Sequence, residues 1–151
     1  MDPHSSRMGW WQAKALANVV NGSTLLGLVV AAAGRAEVRP GPRGLILATG
    51  YALPFPVAGA FTVGNVVLTR HDPGWWAGRE QVLLHEERHS RQYVATLGLP
   101  MLPLYALAAG WSWLRGGDWS TYNVFERQAG LADGGYPVLS RRQRRRQRRT
   151  A

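Results

Sequence analysis

Between Leu83 and Gln92 the chain reads Leu-Leu-His-Glu-Glu-Arg-His-Ser-Arg-Gln, which sets His85, Glu86 and His89 in the spacing H-E-x-x-H. On a helix advancing about 100° per residue, His85 and His89 fall about 40° apart and Glu86 about 100° round from His85, so all three can face one cleft. Two imidazoles at i and i+4 are a zinc-binding pair. A carboxylate beside them that is not a ligand is placed to take a proton from water, the division of labour of hydrolytic zinc sites. Gln92 falls about 20° to the other side of His85 and joins this face. Glu80, Glu87, Arg88 and Arg91 collect on the opposite arc, where Glu87, four residues before Arg91, reads as an ordinary surface pair. Val82, Leu83, Tyr93 and Val94 are left for packing. The competing reading is two histidines falling at i and i+4 by chance on a solvated helix, so the rest of the chain has to supply a third ligand and a substrate groove.

The 151 residues, 46% of them hydrophobic, suffice for one domain with a modest core and are too apolar for a disordered chain. There is no cysteine, which excludes disulfides, thiolate metal sites and cysteine nucleophiles, so any zinc must be held by histidine and carboxylate. The formal charge is +9, of which Arg141, Arg142, Arg144, Arg145, Arg146, Arg148 and Arg149 contribute seven. Little charge is left on the body, which argues against nucleic acid as a partner of the folded part. Residues 1–14 read as a flexible N-terminus, 15–137 as a single domain and 138–151 as a disordered Arg-rich tail, with contact to an anionic membrane surface or to nucleic acid through Arg141 to Arg149 as the sharper alternative.

The elements that must position the motif follow from pattern. Ala15 to Gly34 carries no charge, but Asn18, Asn21 and Ser23 interrupt it. That argues for one apolar helix, buried or facing a membrane, over a signal peptide or a full span. Arg35 to Gly44 reads as a connector, Gly44 to Tyr51 as a strand, Tyr51 to Gly59 with Pro54 and Pro56 as an irregular link, and Ala60 to Thr69 as one or two further strands. Gly64, Asn65, Val66 and Val67 are the expected edge strand on which an extended peptide substrate pairs. His71 reads as a surface turn residue. The motif helix runs within Trp75 to Leu97 and is broken by Gly98, Pro100 and Pro103. Tyr93 to Leu114 is again free of charge and, with Trp111 and Trp113, reads as a hydrophobic lip, an interfacial helix or core.

Ser120 to Asp133 reads as a helix on which Glu126, Ala129, Gly130 and Asp133 share a face. Small residues beside a carboxylate permit close approach to the first helix, as a third ligand requires. Glu126 is the candidate and Asp133 the fallback. The rival role for Glu126 is structural: with Asn123 as cap, it is the acidic third residue of a first turn.

The order Ala60-Phe61-Thr62-x-Gly64-x-Val66-Val67, then Leu83-Leu84-His85-Glu86-x-x-His89-x-x-Gln92, then Glu126-x-x-Ala129 and Asp133, resembles the small zincin-like metallopeptidase domains of bacteria, actinobacterial ones included. The resemblance covers roughly residues 44–136. It implies His85 and His89 as zinc ligands, Glu86 as general base and acid, Glu126 as third ligand in the gluzincin manner and Gln92 as a group supporting a ligand. Glu87 and Arg88 depart from it, standing where such domains often carry an aromatic or leucine and a glycine or threonine.

The expected fold is therefore α+β, a minimal zincin-like domain. A short antiparallel sheet packs on the H-E-x-x-H helix and on a second, glutamate-bearing helix, with an apolar helix at the N-terminus. The expected function is zinc-dependent hydrolysis, of peptide or protein substrates, with one Zn2+ and Glu86 moving the proton. Tyr93, Tyr122 and Tyr136 are the candidate oxyanion donors. The alternative is a non-catalytic membrane-associated protein with a structural zinc site and a lipid-binding tail. The expected location is the cytoplasm, with membrane association and secretion left open.

Overall fold

Four short runs rich in Val, Ile, Leu and Thr build one sheet among the described residues of this computed structural model, which are 9–136, 138, 143 and 146. The strands are β1 (Glu37–Pro40), β2 (Ile46–Thr49), β3 (Ala60–Val63) and β4 (Val66–Thr69), in the order β1-β2-β4-β3. β1 and β2 pair antiparallel, as do β3 and β4, but β2 and β4 run parallel, with Ile46 opposite Val66 and Ala48 opposite Leu68. The sheet is thus mixed, not antiparallel as expected. The link after Tyr51 carries the chain past the sheet, so β3 lands on the far side and the hairpin returns β4 into the middle. This overturns the edge-strand role of Gly64, Asn65, Val66 and Val67. The first two form the hairpin turn, and Val66 and Val67 lie fully buried in the central strand. The free edges belong to β1 and β3. β1 is hidden in the Pro- and Gly-rich connector, where four exposed residues leave no alternating pattern to read.

The apolar N-terminal run forms two helices, α1 (Trp10–Val20) and α2 (Ser23–Ala33), bent by 73°. The first begins inside the stretch read as a flexible N-terminus. The polar residues that interrupt the run explain the bend. Asn21 Oδ1 accepts from the Ser23 amide (3.0 Å) and hydroxyl (2.7 Å), so Asn21 closes one helix and its side chain holds the first residue of the next. Asn18, fully buried, donates to Asn65 Oδ1 (3.0 Å) and to the Ser90 carbonyl (2.8 Å), and Asn65 donates to the Ala15 carbonyl (2.8 Å). This satisfied polar network fastens α1 to the β3–β4 turn and to the motif helix. α2 crosses the sheet closely at Gly27, where a Cβ would stand 2.4 Å from the Val63 carbonyl oxygen.

The motif helix is α3 (Glu80–Ala95), and as expected it breaks at Gly98 and Pro100 before α4 (Met101–Gly116). Pro103 falls in the first turn of α4, where a proline is tolerated. The last helix, α5 (Val124–Ala129), is much shorter than the expected Ser120 to Asp133. Asp118 Oδ1 takes the amides of Ser120 (2.9 Å) and Thr121 (2.6 Å), which holds that stretch in a turn, and Gly130 at φ 92° stops the helix. The core lies between sheet and helices, around Ala31, Ala48, Val66, Leu68, Tyr93 and Met101. His71 is an exposed turn residue, stacked on Trp75.

Glu87 is not on a solvated face. It is 1% exposed and meets Arg91 Nη2 at 3.0 Å, Lys14 Nζ at 3.5 Å and Arg43 Nη1 at 3.8 Å, so one buried carboxylate ties α1, the β1–β2 turn and α3 together. Burial of a charge on this scale requires such pairing. The Arg141 to Arg149 run, apart from positions 143 and 146, lies outside the described residues.

Candidate metal centre

The motif helix presents His85, Glu86, His89 and Gln92 to the interior, all buried, against β3 on one side and α5 on the other. The proton positions on the two imidazoles follow from their outer nitrogens. His85 Nδ1 lies 2.9 Å from the Gly130 carbonyl oxygen, which can only accept, so Nδ1 carries the hydrogen. His89 Nδ1 lies 2.8 Å from Gln92 Oε1. The Gln92 amide nitrogen donates to the Phe125 carbonyl at 2.9 Å, which orients the side chain with its oxygen towards His89. With the hydrogen on Nδ1, each ring turns its Nε2 inward, and the two Nε2 atoms stand 3.0 Å apart.

Glu126 completes the constellation. Its Oε2 is 3.1 Å from His85 Nε2 and its Oε1 is 3.5 Å from His89 Nε2. Asn123 does cap α5, accepting from the Phe125 amide at 3.0 Å, so the helix starts where the capping role requires. The carboxylate nonetheless points into the site, so one residue serves both roles. Acceptor atoms at 3.0–3.5 Å from one another repel unless a cation lies among them. For ligands about 2.05 Å from a tetrahedral ion, the ligand–ligand distance is about 3.3 Å, near the 3.0 Å between the two Nε2 atoms and the 3.1 Å from His85 Nε2 to Glu126 Oε2. Glu126 Oε2 is also buried with no hydrogen-bond partner. His85, His89 and Glu126 therefore form a buried group that can hold a metal ion.

The titration behaviour shows the same demand for positive charge. Burial works to raise the Glu126 carboxyl, but the His85 and His89 imidazoles beside it, which would donate from Nε2 if a proton sat there, outweigh burial and hold the group well below the usual carboxylate range. Burial works to lower His89, yet the Glu126 and Glu86 carboxylates carry it above the ordinary histidine value. A proton can meet part of the demand; it bridges one pair of acceptors, whereas a metal ion serves all three. Glu86 is raised, chiefly by burial, while His89 and the Thr62 hydroxyl pull the other way. Thr62, on the sheet-edge strand β3, donates to Glu86 Oε2 at 2.7 Å.

Of the other expected residues, Asp133 takes no part. Arg88 Nη1 holds it at 2.5 Å and also donates to the Ala129 carbonyl at 2.6 Å, so the pair pins the turn after α5 instead of adding a ligand. That turn covers the site: a Cβ on Gly134 would stand 2.6 Å from His85 Cε1. Tyr136 lies against His85, with ring centroids 6.0 Å apart. Tyr93 is committed to the Thr62 carbonyl, and Tyr122 packs at the end of α4 beside Gly116. The tyrosine that touches the centre is Tyr105, whose hydroxyl donates to Glu126 Oε1 and whose ring centroid is 6.1 Å from that of His89. Tyr105 shares a helical face with Met101, Ala109 and Ser112, which are buried, but spacing alone does not say that this face meets Glu126. Compared with known family models, with curated proteins and with solved structures, the chain matches none.

Proposed function

We propose that the protein is a zinc-dependent hydrolase acting on peptide bonds, with zinc held by His85, His89 and Glu126. The observation that carries the reading is Glu86: a buried carboxylate, 4% exposed, beside three candidate ligands that leave the fourth position of a tetrahedral ion open, as catalytic zinc sites do. Burying a carboxylate that no ligand set needs is costly, and a proton-transfer role accounts for it. Zinc in such a site supplies the Lewis acidity that makes water nucleophilic near neutral pH. Glu86 takes the proton of the attacking water and returns it to the leaving amine, with the Thr62 hydroxyl fixing one carboxylate oxygen. Gln92 and the Gly130 carbonyl hold the two imidazoles in the tautomer that offers Nε2. Tyr105 holds Glu126, and Tyr136, beside His85, is the hydroxyl best placed to donate to a developing oxyanion. With β4 interior, β3 is the strand whose free edge can pair with an extended substrate. The resemblance to small zincin-like domains points the same way.

A second reading, a structural metal in a non-catalytic protein, draws on the burial of all three ligands, which are 1%, 7% and 2% exposed. One experiment separates the two. Glu86→Gln is expected to retain one zinc per chain by elemental analysis and to lose about 10²–10⁴-fold in hydrolysis of a peptide library, while Glu126→Ala loses the zinc. Purified wild-type protein that takes up no zinc ends both readings, and zinc-loaded protein without hydrolysis leaves the structural one.

A further inference from the structure

We infer that the apolar outer faces of α1, α2 and α4 form a seat for a lipid bilayer. These helices are inside out by the standard of a water-soluble protein, whose surface helices turn apolar residues inward. In α1 the buried residues are Lys14 and Asn18, and in α2 they are Ser23, Thr24, Gly27 and Ala31. Leu16, Val19, Val20, Leu25 and Val29 are 53–78% exposed. α4 repeats the arrangement, with Met101, Ala109 and Ser112 inside and Leu107, Trp111 and Leu114 outside at 56–76% exposure. Small and polar residues inside, large apolar residues outside, is the packing of helices whose solvent is lipid.

The two faces meet. Gly98 in the α3–α4 link abuts Asn21 at the α1–α2 corner, where a Cβ on Gly98 would stand 2.7 Å from Asn21 Cγ. Val20, 78% exposed, and Leu97, 81% exposed, flank that contact, so the surface runs from α2 through the corner onto α4. No charged residue occurs from Ala15 to Gly34 or from Tyr93 to Leu114. An apolar surface of this extent with no charged group inside it suits hydrocarbon better than a protein partner. Its boundary is cationic and aromatic: Arg35 and Arg115 end the two runs, both exposed, Arg115 lies 5.7 Å from the Trp111 ring centroid, and Arg91 lies 4.1 Å from that of Trp10. Tryptophan and arginine at an apolar boundary suit the headgroup level, and the cations complement anionic lipid. Among the described residues no single helix is long and apolar enough to cross a membrane, and α1 and α2, which together have the length and composition, are bent by 73°. The 16 residues of α4 extend about 24 Å against a hydrocarbon core of about 30 Å. The bend between α1 and α2 and the short reach of α4 suit helices that lie in the interface. Because Tyr105 on the inner side of α4 touches Glu126, the seat places the metal centre about one helix diameter from the bilayer.

The test is flotation of the full chain with phosphatidylcholine vesicles, with and without phosphatidylglycerol, at low and at high salt. It is paired with the triple variant Val20→Asp, Leu97→Asp, Leu107→Asp, whose sites are 72–81% exposed and whose folding is checked by circular dichroism and zinc content. The expected result is that the wild type floats with anionic vesicles and stays bound at high salt, where the Arg-rich tail is screened, and that the variant's partitioning falls about tenfold or more. Four results overturn the inference: no flotation of the wild type, equal flotation of the variant, complete loss of wild-type binding at high salt, or a lipid-free wild-type oligomer that the variant dissociates. Zinc content measured on the same samples keeps failure of the seat distinct from failure of the metal site.

Discussion

His85 and His89 each commit one ring nitrogen to a fixed acceptor, and this leaves the other nitrogen free for a metal. The two commitments differ in kind. Gly130 contributes a backbone carbonyl that no side-chain change removes, whereas His89 depends on the Gln92 side chain, three residues on along the same helix. Gln92→Ala is therefore expected to keep one metal ion per chain but to weaken its affinity about 10–100-fold, the usual cost of losing a group that orients a ligand. Competition with a chromophoric chelator measures it, and an unchanged dissociation constant would remove Gln92 from the site. Gln92 is legible in the amino-acid sequence because it sits about 20° from His85 on the helical wheel. Tyr105 is not, since its contact with Glu126 depends on where α4 lies.

At the scale of elements, the centre is made where α3, α5 and the turn after α5 converge. That turn is held down by Arg88 through Asp133 and the Ala129 carbonyl, and Gly134 lies in contact with the His85 ring. A methyl group there must displace either the turn or the imidazole. Gly134→Ala is expected to leave the circular dichroism spectrum unchanged and to weaken metal binding by about tenfold or more, because ligand geometry tolerates only about half an ångström of error. Unchanged affinity by calorimetry would mean that the turn yields freely. The motif helix is readable from periodicity and its end from the Gly98–Pro103 break, whereas the bend between α1 and α2 and the bounds of α5 are not. The mixed sheet is not, because each strand has only four residues and pairing direction leaves no local mark on runs so short. Local pattern accordingly points to β4 as the substrate strand when the edge is β3.

Across the whole molecule, Glu87 is the joint between the N-terminal helix, the β1–β2 turn and the motif helix. Removing it strands the buried Lys14 cation, so Glu87→Leu is expected to cost about 3–5 kcal/mol in urea unfolding, whereas adding Lys14→Met should recover most of the loss. Equal losses in the single and double variants would show that the pair is not coupled. Here the sequence misleads for a clear reason. Glu87 and Arg91 at i and i+4 look alike on a solvated helix and under another helix, and only the packing of α1 decides between them.

The chain by itself determined the candidate metal face, with His85 and His89 as a possible ligand pair beside Glu86 and Gln92, Glu126 as the preferred candidate for a third ligand, and the break before α4. All of these rest on helical spacing or on the local conformational preferences of proline and glycine. The tertiary structure decided between Glu126 and Asp133, made α5 a short capped helix, placed β4 inside the sheet and turned the apolar faces of α1, α2 and α4 outward. These are contacts between residues far apart in the chain, set by which surfaces find partners on folding, and short-range pattern carries no record of them.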